Sequence, residues 1–429
     1  MSDSYTVPIL AKPVTASIQP PGSKSITNRA LLCAALANSK TTLKGCLRSD
    51  DTRVMIHALS QLGLNVEEDT NDGNISIEGQ GGSIGTDLDI FVDNSGTTIR
   101  FLTGALSVLG GRFSLDGIAR MRERPIQHLV DALNQIGCGV SCGTNGCPPV
   151  RIDGSGAYGG EISIRGDFSS QFLSGLLMAL PYARKPVSII VDDTLVSIPY
   201  VQMTMDVMAS FGVSVSHDNF ERFSVPAPLE YQGRTYEVEP DASAASYFMA
   251  LAAATGSTIT IEGIGRKSIQ GDIRFADVLE QMGCDVRWTE SSVTISGREL
   301  VGIDVDMNGI SDTVQTLAVL ALFARGPTTI RNVGHIRHKE TDRLAALATE
   351  LAKLGAAVTE SADSLEIIPG QLTGATIGTY NDHRMAMSFA IAGLRIPDVK
   401  LENPGCCEKT YPDFFSDLQR VIGGENGTA

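Results

Sequence analysis

Several short runs in this 429-residue chain combine hydroxyls, amides and cations in a pattern suited to capturing anions. The first is Pro21-Gly22-Ser23-Lys24-Ser25-Ile26-Thr27-Asn28-Arg29, which leads directly into Ala30-Leu31-Leu32-Cys33-Ala34-Ala35-Leu36-Ala37. Ile26, Ala30, Cys33, Ala34 and Ala37 recur with a helical period, so Lys24, Ser25 and Arg29 fall in the first turns of an amphipathic helix. Free backbone N–H groups and the positive end of the helix dipole favour a phosphate or carboxylate there. In isolation, an ordinary Ser-capped helix with two solvated cations would read the same way. Met121-Arg122-Glu123-Arg124-Pro125 places cations just before another helix start, where they are unfavourable unless an anion is bound, which makes Arg122 or Arg124 a candidate clamp. Ser169-Ser170-Gln171 offers more donors than a cap requires, and Ser197 and Tyr200 form a polar turn.

Acid–base candidates lie further on. Arg337-His338-Lys339-Glu340-Thr341-Asp342-Arg343 alternates cations and carboxylates ahead of an apolar helical face, so it can hold an anion and also supply a tuned acid or base. A charged capping sequence with exposed ion pairs is the plainer alternative. Asp312 is either a helix cap or a base, and Asn381-Asp382-His383-Arg384 is a capped start with a cation misplaced for the dipole.

Charge bounds the ligand. With 34 basic against 49 acidic residues the net charge is −15, which disfavours nucleic acid and anionic membrane surfaces and points to a small ligand held by a local cationic cluster. The N-terminal residues show neither a basic nor an apolar leader segment, so a cytoplasmic location is expected. The eight cysteines read as reduced thiols; Cys138, Cys142 and Cys147 match no common zinc spacing, and no metal site is expected.

These residues recur at equivalent places in a repeat. Polar clusters open apolar helices at Lys24, Gly96, Ser169, Asp241, Asp312 and Asp382, at intervals of 72, 73, 72, 71 and 70 residues. A second helix in each interval stops at an apolar-Gly pair: Gly63, Gly137, Gly212, Gly283, Gly355 and Gly423. Short β-rich runs such as Gly160–Arg165 and Val187–Val191 lie between. The chain therefore reads as an α/β protein of six β-α-β-α-β-β units. The last unit is short of strands, because only Gly424–Ala429 follows its stop, and the β-like segment 5–19 is available to complete it. That arrangement predicts one lobe of residues 1–20 plus 240–429 and a second of 21–239, three units each. The lobes would be joined by two crossings near 20–22 and 238–241, a hinge suited to closing on ligands. Helix starts pointing the same way in each lobe would make two anion-binding faces.

Seven motifs, in the same order and spread over nearly the whole chain, resemble the 5-enolpyruvylshikimate-3-phosphate synthase family. They are Pro21–Arg29, Asn94–Thr97, Arg122–Pro125, Ser169–Gln171, Lys339–Arg343, Asp382–Arg384 and Lys409-Thr-Tyr-Pro-Asp413. The resemblance implies a two-lobed enolpyruvyl-transferase fold of three repeated units per lobe. It implies transfer of the enolpyruvyl group of phosphoenolpyruvate to the 5-hydroxyl of shikimate 3-phosphate, releasing phosphate, with no cofactor, in a monomer. Carried over by position, shikimate 3-phosphate would be held by Lys24, Ser25, Arg29, Ser169, Ser170, Gln171, Ser197, Tyr200, Asp312, His335 and Lys339. Phosphoenolpyruvate would meet Lys24, Asn94, Gly96, Arg124, Gln171, Arg343, Arg384 and Lys409. Asp312 would take the proton of the attacking hydroxyl, while Lys24 and Glu340 would move protons to and from the methylene carbon.

The sequence departs from the family pattern at His335, where an Asn is common, at Phe101, where many members have Pro, and at Ser95, often Ala. Gly96 is retained, so glyphosate is expected beside it. Two rivals are a UDP-N-acetylglucosamine enolpyruvyl transferase, whose Lys-Asn pair is Lys24-Ser25 here, and a non-catalytic anion-binding scaffold, which leaves Asp312 and Glu340 among the cations unexplained. RNA 3′-phosphate cyclisation, on a related architecture, is disfavoured by the net charge of −15.

Overall fold

The structure is a computed structural model that describes residues 3–69, 73–85 and 87–423. The terminal run Gly424–Ala429 lies outside the described residues.

Among the described residues, five small sheets repeat one four-stranded pattern, and a sixth has three strands. In the second unit, Leu88–Phe91 runs parallel to Gly111–Asp116, which is antiparallel to Val150–Gly154, which in turn pairs with Val140–Ser141. The strand order 88–91, 111–116, 150–154, 140–141 is a β-α-β crossover followed by a helix and a hairpin. Two helices serve each sheet: α1 (Lys24–Leu36) and α2 (Asp50–Gln61), then α3 (Gly96–Leu109) and α4 (Gln127–Asn134), then α5 (Ser170–Ala179) and α6 (Ile198–Ser210). The later units carry α7 (Ala242–Thr255) and α8 (Phe275–Gln281), α9 (Val314–Leu320) and α10 (Arg343–Lys353), and α11 (His383–Gly393) and α12 (Phe414–Ile422).

The chain forms two compact units, residues 22–238 and residues 1–21 with 239–429. The N-terminal segment does not act as one strand. Ser4–Thr6 pairs antiparallel with Lys400–Glu402 in the sixth sheet, whereas Thr15–Ile18 runs parallel to Thr258–Glu262 and leads the fourth. Correspondingly, the first sheet takes its leading strand from Thr235–Glu237, parallel to Lys40–Lys44. A bend at Lys12 and the proline that follows it, Pro13, divide the segment, a break that alternation of apolar residues over 5–19 does not reveal.

The odd-numbered helices are central. Every residue from Ile26 to Leu36 of α1 is buried, so the amphipathic reading of this helix is corrected: neighbouring helices and strands cover it on all sides. Gly104 of α3 and Gly175 of α5 allow two such helices to meet backbone to backbone. A Cβ on Gly104 would lie 2.7 Å from the Gly175 carbonyl oxygen. The helix stops at Gly63, Gly137, Gly212, Gly283 and Gly355 adopt φ between +81° and +108°, but Gly423 is right-handed at −73° and needs no glycine.

Candidate active site

In the unit of residues 22–238, helix N-termini carry the expected side chains. Ser23 caps α1, its hydroxyl accepting from the Ile26 N–H at 3.4 Å. Lys24 follows, 3.6 Å from the buried carboxylate of Asp51 on α2. Arg29 is buried, and its guanidinium donates to Thr204 Oγ1 at 2.7 Å, to the Ser25 carbonyl at 2.9 Å and to the Tyr200 carbonyl at 3.1 Å. It therefore fixes the first turns of α1 and α6 against each other. Burial lowers its pKa to about 10, which leaves it charged at neutral pH. Ser197 sits at the start of α6 in a left-handed conformation, φ +55°, and Tyr200 lies in the first turn of that helix.

Arg124 is 4% exposed and donates to the Asn94 carbonyl at 3.2 Å and to Asn94 Oδ1 at 3.5 Å. It lies flat on the start of α3, where a Cβ on Gly96 would fall 2.3 Å from its Nη2; glycine is required by that approach. Ser95 caps α3 through Thr98, so the hydroxyl does work an Ala could not. Gln171 Oε1 accepts from Arg100 at 2.6 Å while Gln171 Nε2 reaches Thr97 Oγ1 at 3.4 Å, which brings the first turns of α3 and α5 together. Ser169 caps α5 through the Gln171 N–H, and Ser170 is buried beside it. Phe101 is fully buried under the Arg29 guanidinium, 5.3 Å from its ring centroid, within an uninterrupted helix. Arg122 does not join this group. It is bound to Asp116 with its side chain 56% exposed, and it lies within the 3₁₀ turn Met121–Glu123, ahead of α4.

In the other unit, the charged residues form an alternating lattice. Asp312 Oδ1 accepts from Lys339 Nζ at 2.5 Å and from Arg343 Nη1 at 3.2 Å, and Asp312 Oδ2 accepts from Arg384 Nη2 at 2.7 Å. Asp312 is thus no helix cap: it lies in a 3₁₀ turn before α9 and spends its carboxylate on three cations. Glu340 lies between Arg343 at 2.9 Å and Lys409 at 3.5 Å. Asp382, fully buried at the N-terminus of α11, accepts from Arg343 Nε at 2.8 Å and from the Arg384 N–H at 2.9 Å. The four cations Lys339, Arg343, Arg384 and Lys409 face the three carboxylates Asp312, Glu340 and Asp382. Burial alone would lower the pKa of Arg343, but attraction to Asp382, Glu340 and Asp312 outweighs it and raises the value. Burial lowers that of Lys339. His335, in the 3₁₀ turn Gly334–His338, is pushed down to about 3 by burial and then by Lys339, so at neutral pH it is an uncharged imidazole.

Asp51, Arg100 and Tyr247, whose hydroxyl meets Arg384 at 3.3 Å, are partners that no motif exposes. Of these only Arg100 carries a signal, one helical turn beyond Gly96. The described residues contain no group of three or more His, Cys, Asp or Glu placed to hold a metal.

Among the described residues, repeated modules with polar clusters at their helix starts define an α/β fold built from similar units. The structure is similar to that of EPSP synthase from Acinetobacter baumannii, with a TM-score of 0.81, 26% identity and 97% of each chain covered. The chain belongs to the family described as EPSP synthase (3-phosphoshikimate 1-carboxyvinyltransferase), whose model matches residues 10–418. It is 48% identical over 431 residues to the chloroplastic 3-phosphoshikimate 1-carboxyvinyltransferase of Arabidopsis thaliana, covering 95% of this chain and 82% of that one. Against the 3-phosphoshikimate 1-carboxyvinyltransferase of Nostoc punctiforme the identity is 45%, with 98% and 99% covered.

Proposed function

We propose that the residues gathered at these helix starts carry out enolpyruvyl transfer from phosphoenolpyruvate to shikimate 3-phosphate. The activity is that of the family, a transferase of the shikimate pathway. The observation that carries the residue roles is the lattice around Asp312 and Glu340, which sets two carboxylates able to move protons among the cations suited to holding the anions.

In this reading Lys24, Asn94, Gly96, Arg124, Gln171, Arg343, Arg384 and Lys409 bind phosphoenolpyruvate. Ser25, Ser169, Ser170, Gln171, Ser197, Tyr200 and Lys339 bind shikimate 3-phosphate, Lys24 assists, Arg29 adds charge from beneath, and neutral His335 supplies a polar contact in place of an amide. Asp312 takes the proton of the 5-hydroxyl as its oxygen bonds to the C2 carbon of phosphoenolpyruvate. The methylene carbon gains a proton in the same step and loses one as the C2–phosphate bond breaks. We assign those transfers to Glu340 and Lys24: a carboxylate beside an oxocarbenium-like centre stabilises it where cations alone would not. The reading extends to a cytoplasmic monomer working without a metal, and to glyphosate competing with phosphoenolpyruvate beside Gly96.

Phosphate release should require both substrates together and should be abolished in Lys24→Met. Asp312→Asn should lower turnover by about 10²–10⁴ while still binding shikimate 3-phosphate by calorimetry. Full turnover in Asp312→Asn, or release with one substrate omitted, would overturn the assignment.

A further inference from the structure

Helix α10 sends two charged side chains from one face. Arg343 begins the helix and Glu350 follows seven residues later, two turns along the same side, and both are buried. Arg343 belongs to the lattice around Asp312, whereas Glu350 has no place in it. Its carboxylate accepts from the Gly378 N–H at 3.0 Å, from the Tyr380 hydroxyl at 2.7 Å and from Lys353 Nζ at 2.7 and 2.8 Å. A Cβ at Gly378 would lie 3.3 Å from Glu350 Oε1, a tight contact.

The segment so held is unusual. Tyr380 and Asn381 both adopt positive φ, +55° and +54°, with no glycine between them, and the turn is closed by the Asp382 N–H on the Thr379 carbonyl at 2.9 Å. A bulky residue in the left-handed region persists only where its surroundings dictate it. Here Glu350 binds the backbone before the turn and the ring hydroxyl within it, and Asn403 Nδ2 donates to Asn381 Oδ1 at 3.1 Å. The turn feeds directly into Asp382 and Arg384. Helix α10 thus grips residues 378–382 at both ends: Glu350 holds Gly378 and Tyr380, and Arg343 holds Asp382 at 2.8 Å.

Resting on the reading of the site given above, we infer that Glu350 is a positioning residue for the phosphoenolpyruvate cations, acting through the Gly378–Asn381 turn to set Asp382 and Arg384 against Arg343. A carboxylate that merely stabilised α10 would need only Lys353.

Two variants test this on the full-length protein. Tyr380→Phe removes one hydroxyl from an exposed ring, and Glu350→Gln keeps the side-chain length while removing acceptor capacity. Each should raise KM for phosphoenolpyruvate roughly 2–10-fold, with Glu350→Gln the larger, while calorimetric affinity for shikimate 3-phosphate alone stays at the wild-type value. Amide hydrogen exchange should quicken across residues 378–384 and not in α7. Unchanged KM for phosphoenolpyruvate in both variants, or equal loss of affinity for both substrates with lowered melting temperature, would overturn the inference. If wild type itself releases no phosphate, the reading of the site fails separately. Exchange then still decides: quickening confined to 378–384 keeps the positioning role, and unchanged protection removes it.

Discussion

Replacing Gly96 by Ala isolates the contribution of one close approach. The added Cβ would stand 2.3 Å from Arg124 Nη2, 2.6 Å from Cζ and 2.8 Å from Nη1. Ordinary carbon contacts begin near 3.5 Å, so the guanidinium must withdraw by about 1 Å. Withdrawal pulls at bonds of 3.2 and 3.5 Å to Asn94 and moves the charge away from the anion it is proposed to meet. Losing one hydrogen bond to a charged group costs about 1.5–3 kcal/mol, or about 10–150-fold in kcat/KM for phosphoenolpyruvate. Stability should change little, because Gly96 is the first residue of α3 and the group that must yield is the end of a long side chain. The assay is steady-state phosphate release, paired with calorimetry of shikimate 3-phosphate alone and with a glyphosate titration. A weakened phosphoenolpyruvate term, a weakened glyphosate term and intact shikimate 3-phosphate affinity are expected together. A kcat/KM for phosphoenolpyruvate within about threefold of wild type would refute the argument that Arg124 works from its seat on Gly96.

Two further predictions concern stability. His335 has a folded pKa near 3 against an ordinary 6.5, so the unfolded chain binds its proton first as pH falls. Its contribution is complete above about pH 6.5 and is lost progressively towards pH 3; melting temperatures of wild type should fall more steeply over that window than those of His335→Gln, and parallel curves would contradict this. Gly104→Ala should cost about 1–3 kcal/mol in urea unfolding, because its Cβ would meet the Gly175 carbonyl at 2.7 Å and force α3 and α5 apart; an unchanged midpoint would show that the helices separate freely.

The repeat was legible because a seventy-residue period carries its own punctuation. Glycine stops and polar helix starts mark each unit whatever lies between them, and the observed strand order follows from two helices alternating with strands. Strand partners were not legible, since a run such as Thr15–Ile18 is equally apolar wherever it pairs, and only tertiary structure sends it to Thr258–Glu262. The site shows the same division. Residue types at Lys24, Arg124, Lys339 and Arg384 announce anion binding, but their partners Asp51, Tyr247 and Asp382 lie far away in sequence or were read as caps. Asp312 was ambiguous for that reason: a carboxylate before a helix looks like a cap until the three cations that occupy it are seen.

The pairing of the N-terminal segment with strands from the second half of the chain bears on how the protein is made. Ser4–Thr6 leaves the ribosome before every other described element, yet its partner strand, Lys400–Glu402, is among the last. The unit of residues 22–238 is continuous and holds all of its own strands, so it can be complete by residue 238, while the opening segment waits unpaired for the second half of the chain. Synthesis therefore passes through a stage with one finished body and a tethered, unsatisfied pair of strands ahead of it. Such edges invite pairing with other chains. Interrupting translation after residue 238 should then yield a folded, soluble body carrying a protease-sensitive N-terminal tail, the half-built protein preserved as an intermediate.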